Sequence, residues 1–174
     1  MRRVSLASLP PIVTTVSIAL FAALVLAVVV GICAIRAPLL HPPGIGVRLE
    51  LYLRTNVAQT SSDPVLPELA PLILRANITN ALHEIALAGI ELGWRELSVD
   101  EVNSQVRAVV VSSVFRFSDD LYIRLLDRGT QRTEALVRSS SRVGRGDLGA
   151  NVHHIMALRD VLTRRALLVA EGGT

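Results

Sequence analysis

An uninterrupted apolar run constrains this chain more than any other feature. From Ile12 to Ile35 there are 24 residues without a charge, bounded by Arg2, Arg3 and Pro10-Pro11 on one side and by Arg36 on the other. As a helix rising about 1.5 Å per residue it covers about 36 Å, enough to cross a hydrocarbon core of about 30 Å with some tilt. The apolar region of a cleaved signal peptide spans only about 7 to 15 residues, and no A-x-A-like site precedes Arg36. Cys33 follows Ile32, whereas a lipoprotein signal needs a small residue before its cysteine. The segment reads as an uncleaved, single-pass anchor in the cell (inner) membrane, with the lipid bilayer as its partner through residues 12–35. Arg36, Arg48 and Arg54 compete with Arg2 and Arg3 across the membrane. A short basic tail ahead of an apolar run is nevertheless the signal-anchor pattern, which places the N-terminus in the cytoplasm and the remainder outside.

Charge narrows the function classes once it is divided by segment. All 18 basic residues are arginine, against 15 acids, and the formal net charge is +3. With no lysine, a Schiff-base mechanism and a lysine-dependent P-loop are both excluded. Setting aside Arg2, Arg3 and Arg36 at the membrane boundary leaves fifteen arginines facing fifteen acids, so the rest of the chain is neutral. Only six aromatic residues are present, one of them in the anchor, and no stacking platform emerges. Nucleic acid is therefore not expected as a partner. The single cysteine, Cys33, lies in the anchor, leaving no thiol elsewhere for a disulfide, a zinc site or a nucleophile.

Proline sets the next boundary. All eight prolines precede residue 72. The reading is a tail at 1–11, a transmembrane helix at 12–35, a Pro-rich extended tether at 36–75 and a domain at 76–174. Within the domain, Asn77 or Thr79 can cap a helix over 80–92, whose apolar face is Ala81, Leu82, Ile85, Gly89 and Leu92, with Gly93 closing it. Four strand-like runs follow, at 94–99, 104–117, 120–126 and 133–141, joined by polar turns at 100–103 and 127–130 that predict antiparallel pairing. A last helix is expected over 150–170, with Val152, Ile155, Met156, Leu162, Ala166 and Val169 as its buried stripe. The fold class is thus α+β, an antiparallel sheet of about four strands with two helices packed on one face.

The 104–117 run is apolar on both sides: Val106, Ala108, Val110 and Val114 share one face, Val109, Val111, Phe115 and Phe117 the other. Such a strand needs cover on both faces. Either the tether, from residue 45 to 75, folds back over the second face, or a partner protein or the bilayer surface supplies the cover.

Chemistry-bearing residues are few. His153 and His154 are consecutive, so about 100° apart on a helix, whereas helical metal pairs use i, i+4 spacing. They read as solvated, and neither a metal nor a cofactor is implied. Asp119 and Asp120, consecutive at a strand start, should point to opposite faces and do not form an acid/base dyad. Ser139-Ser140-Ser141 lacks the G-x-S-x-G elbow, so no catalytic residue is assigned. The densest pattern is the glycine- and arginine-rich loop from Ser141 to Asn151, which runs into the last helix. As an anion site it would use Arg142 and Arg145 with the backbone and helix start at Gly144, Gly146, Gly149 and Asn151. As a structural turn it would use the same glycines for unusual backbone angles and Asp147 as the helix cap. Asp119 or Asp120 is expected to pair with Arg142 or Arg145, and Arg159, inside the apolar stripe, is a further candidate partner.

Four runs carry a resemblance: Ser141-Arg-Val-Gly-Arg-Gly-Asp-Leu-Gly-Ala-Asn151, Phe115-Arg-Phe-Ser-Asp-Asp120, Gly93-Trp94 and Thr55-Asn-Val-Ala-Gln-Thr60. Over about residues 50 to 168 the chain resembles the domain of unknown function 1499 family, found in bacterial membrane proteins and in plastids. The resemblance implies a shared architecture without an established activity. It also marks Phe115, Phe117, Asp119, Asp120, Arg142, Gly144, Asp147, Gly149 and Asn151 as the family's characteristic set. The expected function is a membrane-anchored binding or accessory protein of an envelope or membrane assembly, with a protein partner. The rival is a hydrolase or transferase acting on an anionic substrate at the arginine loop.

Overall fold

The structure is a computed structural model and describes residues 11–35, 37–112 and 116–169. Val114, Phe115 and the tail ahead of Pro11 lie outside the described residues. Helix α1, Pro11–Ile35, is long and apolar enough to cross a membrane.

Beyond it the chain is α+β, as the periodicity predicts, but its sheet has six strands and not four. Helix α2 is Ile45–Arg54 and is followed by β1, Val57–Gln59, and β2, Leu72–Leu74. Helix α3, Ile78–Glu91, leads to β3, Arg95–Asp100, β4, Gln105–Val111, β5, Ser118–Asp127, and β6, Thr133–Ser141, before helix α4, Ala150–Arg164. Pairing is antiparallel throughout, in the order β1-β6-β5-β4-β3, and β2 also pairs with β6. Strand β1 meets Arg138 to Ser140 of β6 and β2 meets Thr133 to Ala135, so the two short strands lie end to end along one edge.

Both added strands come from the segment expected as a tether. Its prolines punctuate elements instead of keeping the chain extended: Pro67 opens a 3-10 turn at Pro67–Leu69 and Pro71 precedes β2. Because proline fixes φ and lacks an N–H, it is tolerated at these starts and excluded from the middle of a ladder. The segment extends the sheet and does not cover its second face, where Arg107, Arg124 and Arg138 are exposed.

Helices α3 and α4 pack on the other face, α3 against β3, β4 and β5, α4 against β6 and β1. Strand alternation supplies the sheet's half of the core: Val106 and Ala108 from β4, Leu121, Ile123 and Leu125 from β5, Ala135 and Val137 from β6. Asn77 caps α3, its side chain accepting the Asn80 N–H at 2.8 Å. Gly93, at φ +70°, ends that helix and lets Trp94 fold back, where a Cβ on Gly89 would lie 2.5 Å from the indole ring. Two boundaries differ from expectation. Strand β4 stops at Val111 because Ser112 closes a turn, its N–H donating to the Phe117 carbonyl at 2.9 Å and its Oγ accepting the Phe117 N–H at 3.0 Å. Helix α4 stops at Arg164 because Ala166 adopts φ +55°, after which Leu168 bridges to Leu74 of β2. Ala166 and Val169 therefore leave the helical stripe, and Leu158 and Val161 are buried in it.

Helix α2 is fixed by a buried arginine. Arg48, with 0% of its side chain exposed, holds Glu68 at 2.5 Å, donates to the Tyr52 hydroxyl at 3.0 Å and reaches the carbonyls of His41 and Pro42. Burial works to raise the Glu68 carboxyl, but hydrogen bonds, chiefly from Arg48, outweigh it and hold the group below the ordinary carboxylate range. A depressed pKa contributes stability that is complete above the unfolded value of about 4.3 and is lost as pH falls through the folded one. In acid titrations of the detergent-solubilised full chain, Glu68→Gln should accordingly flatten the loss of stability below about pH 4.3. Arg48→Met, which strands a nearly buried carboxylate, should cost about 3–5 kcal/mol in urea unfolding.

Candidate functional site

The motif runs converge at one end of the sheet, where the 141–149 loop passes between the C-terminal end of α2 and the start of α4. Asn151, fully buried in the first turn of α4, is the centre of the arrangement. Its amide donates to the Asn56 carbonyl at 2.9 Å, the Ser141 hydroxyl at 2.9 Å and the Asp147 carboxylate at 2.6 Å, and its Oδ1 accepts from Ser139 at 2.6 Å. Asn56 returns the contact, donating to the Gly144 carbonyl at 2.7 Å. The Thr55–Thr60 run is thus a clamp on the loop and on β6: the Thr55 carbonyl takes the Asp147 N–H of the loop at 3.2 Å and Thr60 Oγ1 takes the Val137 N–H of β6 at 2.9 Å.

The candidate anion ligands are engaged within the protein. Asp147 accepts the N–H of Gly149 at 2.8 Å and of Asn151 at 2.9 Å, so an internal carboxylate occupies the helix start where an external anion would bind. Gly149 adopts φ +89°, and a Cβ there would come within 2.9 Å of Ala37 and 3.2 Å of the Tyr52 ring. A Cβ on Gly146 would run into the Leu53 carbonyl. Arg142 forms a fork with Asp120, 3.0 Å from Nε and 2.6 Å from Nη2, which keeps the Asp120 carboxyl below its usual range. Arg145 is exposed and does not share that pairing.

Asp119 and Asp120 point to opposite faces, Asp120 outward to Arg142 and Asp119 inward to α4. There it meets His154, whose Nε2 is 2.8 Å from Oδ2. An ionised carboxylate only accepts, so the imidazole must present its Nε2–H. His154 is therefore not a solvated residue: it is 9% exposed, because α4 turns position 154 toward the sheet beside Ile155. Asp119 Oδ1 has no hydrogen-bond partner among the described residues. Beside it a cavity of about 260 Å³ is lined by Ser112, Phe117, Asp119, Val143, Leu148 and Ala150, with the loop backbone at Gly144 and Gly146. Phe117 is half-exposed at its edge, whereas Phe115 lies outside the described residues. No cluster of metal-ligating side chains occurs among the described residues. Arg159 reaches the carbonyls of Glu68 and Ala70, tying α4 to the 3-10 turn.

The sheet face away from the helices is a second surface. Arg107, Tyr122 and Arg138 stand in one cross-strand row, with Arg124 in the next. The Arg107 guanidinium lies 5.6 Å from the centroid of the Tyr122 ring, and Arg138 donates to the neutral Gln59 side chain at 3.2 Å. Among the described residues no carboxylate forms an ion pair with Arg107, Arg124 or Arg138. Elsewhere Arg48, Arg54, Arg128, Arg142, Arg164 and Arg165 all do.

Two consequences can be measured. Gly146→Ala should cost about 1–3 kcal/mol by overpacking against Leu53, whereas Arg145→Ala, one residue earlier on the surface, should stay within about 0.5 kcal/mol. A double-mutant cycle between Asp120 and Arg142 should give only about 0–1 kcal/mol, since both side chains are half-exposed, and high salt should erase it.

None of the curated proteins matches this sequence. The profile of the family described as protein of unknown function (DUF1499) does match, over residues 52–162, which takes in the Thr55–Thr60 clamp, the sheet, the loop and all but the last turn of α4. The chain belongs to that family.

Proposed function

We propose that the chain is a single-pass protein of the cell membrane, anchored by α1 with its α+β domain outside the cytoplasm, and that it serves as a binding or accessory subunit of a membrane assembly. The observation that carries this reading is the uncovered sheet face. Arg107, Arg124 and Arg138 surround Tyr122 on the central strands, and none of the three pairs with a carboxylate among the described residues, whereas Arg48, Arg54, Arg128, Arg142, Arg164 and Arg165 do. Arginine and tyrosine are the residues that most often dominate protein interfaces, because a planar guanidinium or phenol buries area while losing little conformational freedom. The partner that fits is an acidic segment of another protein, with carboxylates placed to take the three guanidiniums as bidentate pairs. An enzyme acting on an anion at the 141–151 loop draws no comparable support, since Asp147 already fills the helix start and Arg142 is held by Asp120 on the opposite face.

Site-specific photocrosslinking from position 124 of the full chain in its native membrane tests the reading. A single adduct of defined mass is expected, weakened by salt and abolished by the double change Arg107→Glu and Arg138→Glu. Purification in mild detergent as a lone monomer, or an adduct indifferent to both charge reversals, overturns it.

A further inference from the structure

One buried group at the head of the sheet is left over by the architecture. Asp119 has a side chain only 2% exposed, and while Oδ2 takes the bond from His154, Oδ1 takes none. Buried carboxylate oxygens are hydrogen-bonded as a rule, so an unpartnered one, on a residue that lines a cavity, marks a place for a donor from outside the chain. The cavity's other walls are largely apolar, supplied by Phe117, Val143, Leu148 and Ala150. Among the described residues its charged lining is acidic, Asp119 and Asp147. Asp147 spends both oxygens on the start of α4. The arginines of the loop are not part of the lining. Such a site repels carboxylates and phosphates and attracts a cationic donor.

We propose that this cavity binds a primary ammonium group carried on an apolar chain, the ammonium donating to Asp119 Oδ1 and the chain lying against Phe117, Val143 and Leu148. A volume of about 260 Å³ is smaller than that of a drug-sized site, ~300–1,000 Å³, and suits a head with a short run of methylenes. Placement agrees with this chemistry. Gly149, between Leu148 and Ala150 of the lining, packs against Ala37, two residues beyond the end of α1. Where α1 is a membrane anchor, as in the reading above, the cavity lies at the bilayer end of the domain. The amine can then be a free alkylamine or the headgroup of an aminolipid.

The full chain, in phosphatidylcholine nanodiscs with labelled methyl groups, is titrated with hexylamine, hexanol and hexanoate at neutral pH. Hexylamine should give saturable shifts at Val143, Leu148 and Ala150, with hexanol at least tenfold weaker and hexanoate silent. Asp119→Asn keeps an acceptor for His154 and should weaken hexylamine at least tenfold. Val143→Trp, at a side chain 67% exposed, should close the mouth and abolish binding without touching the core. Hexanoate binding as tightly as hexylamine, affinity unchanged in both variants, or no saturable shift with any probe overturns the proposal. Nanodiscs containing phosphatidylethanolamine separate the sources: resonances shifted before titration and competed by hexylamine identify the lipid, and resonances unmoved until hexylamine is added identify a free amine. Crosslinking from position 124, carried out in native membranes on the same Asp119→Asn and Val143→Trp variants, keeps the two readings apart. Loss of amine binding with the adduct intact removes this proposal alone, and the converse removes the partner reading alone.

Discussion

Everything at the head of the sheet depends on one buried amide. Asn151 has two donors and an acceptor to satisfy away from water, and it satisfies them on four segments: β6 through Ser139 and Ser141, the clamp through Asn56, the loop through Asp147 and α4 by its own position. A buried polar network of this kind is stabilising only when every member is paired, because each unpaired group costs about 1–3 kcal/mol. Asparagine is suited to the post because it donates and accepts from one planar group, where aspartate could only accept and leucine could do neither. The glycines then follow from proximity. Once Asn151 draws the loop down onto α2, Gly146 has no room for a Cβ beside Leu53, and Gly149 must take a left-handed conformation between Ala37 and Tyr52.

Strand alternation converts this anchor into two separate environments. Asp119 and Asp120 are neighbours in sequence, yet the pleat sends one to a dry contact with His154 and the other to a half-exposed fork with Arg142. The same alternation continues along β5, where Leu121, Ile123 and Leu125 enter the core while Tyr122 and Arg124 face away from it. The helices cover one face only.

Much of this was legible in the sequence, and the failures have identifiable causes. Periodicity located α3, β5 and the start of α4 because each keeps one period where it begins, and Asn77 and Gly93 bound α3 with strong signals. Opposite charges in the two densest motifs suggested that Asp119 or Asp120 pairs with Arg142 or Arg145, and the structure selects Asp120 with Arg142. Strands β1 and β2 were hidden because three residues are too short to show alternation, and because prolines nearby suggest extended chain. Composition does not distinguish a proline that opens an element from one that keeps chain unfolded. His154 was misread because one histidine on a helix reveals its burial only through its neighbours: Ile155 and Leu158 place it on the core side, and Asp119 becomes its partner only through a contact 35 residues away. Arg48 and Glu68 were beyond reach for the same reason, being 20 residues apart across a turn that sequence patterns do not specify.

The residues of the motif runs have a consequence for where function can reside. Asn56, Gly144, Asp147, Gly149 and Asn151 each have a complete structural occupation, either as a hydrogen-bond partner or as space that a larger residue would fill. A residue so committed cannot also bind a ligand without dismantling the packing it maintains, so these positions report architecture and say little about chemistry. Function has to be sought in what the architecture leaves over. Among the described residues these meet that description: the Asp119 oxygen that His154 leaves unpartnered, and the guanidiniums of Arg107, Arg124 and Arg138, which face water on a sheet that could have carried threonine or serine there at no cost to the core. The motif builds the frame and holds Asp119 in place, and the Asp119 oxygen and the three guanidiniums remain available for binding.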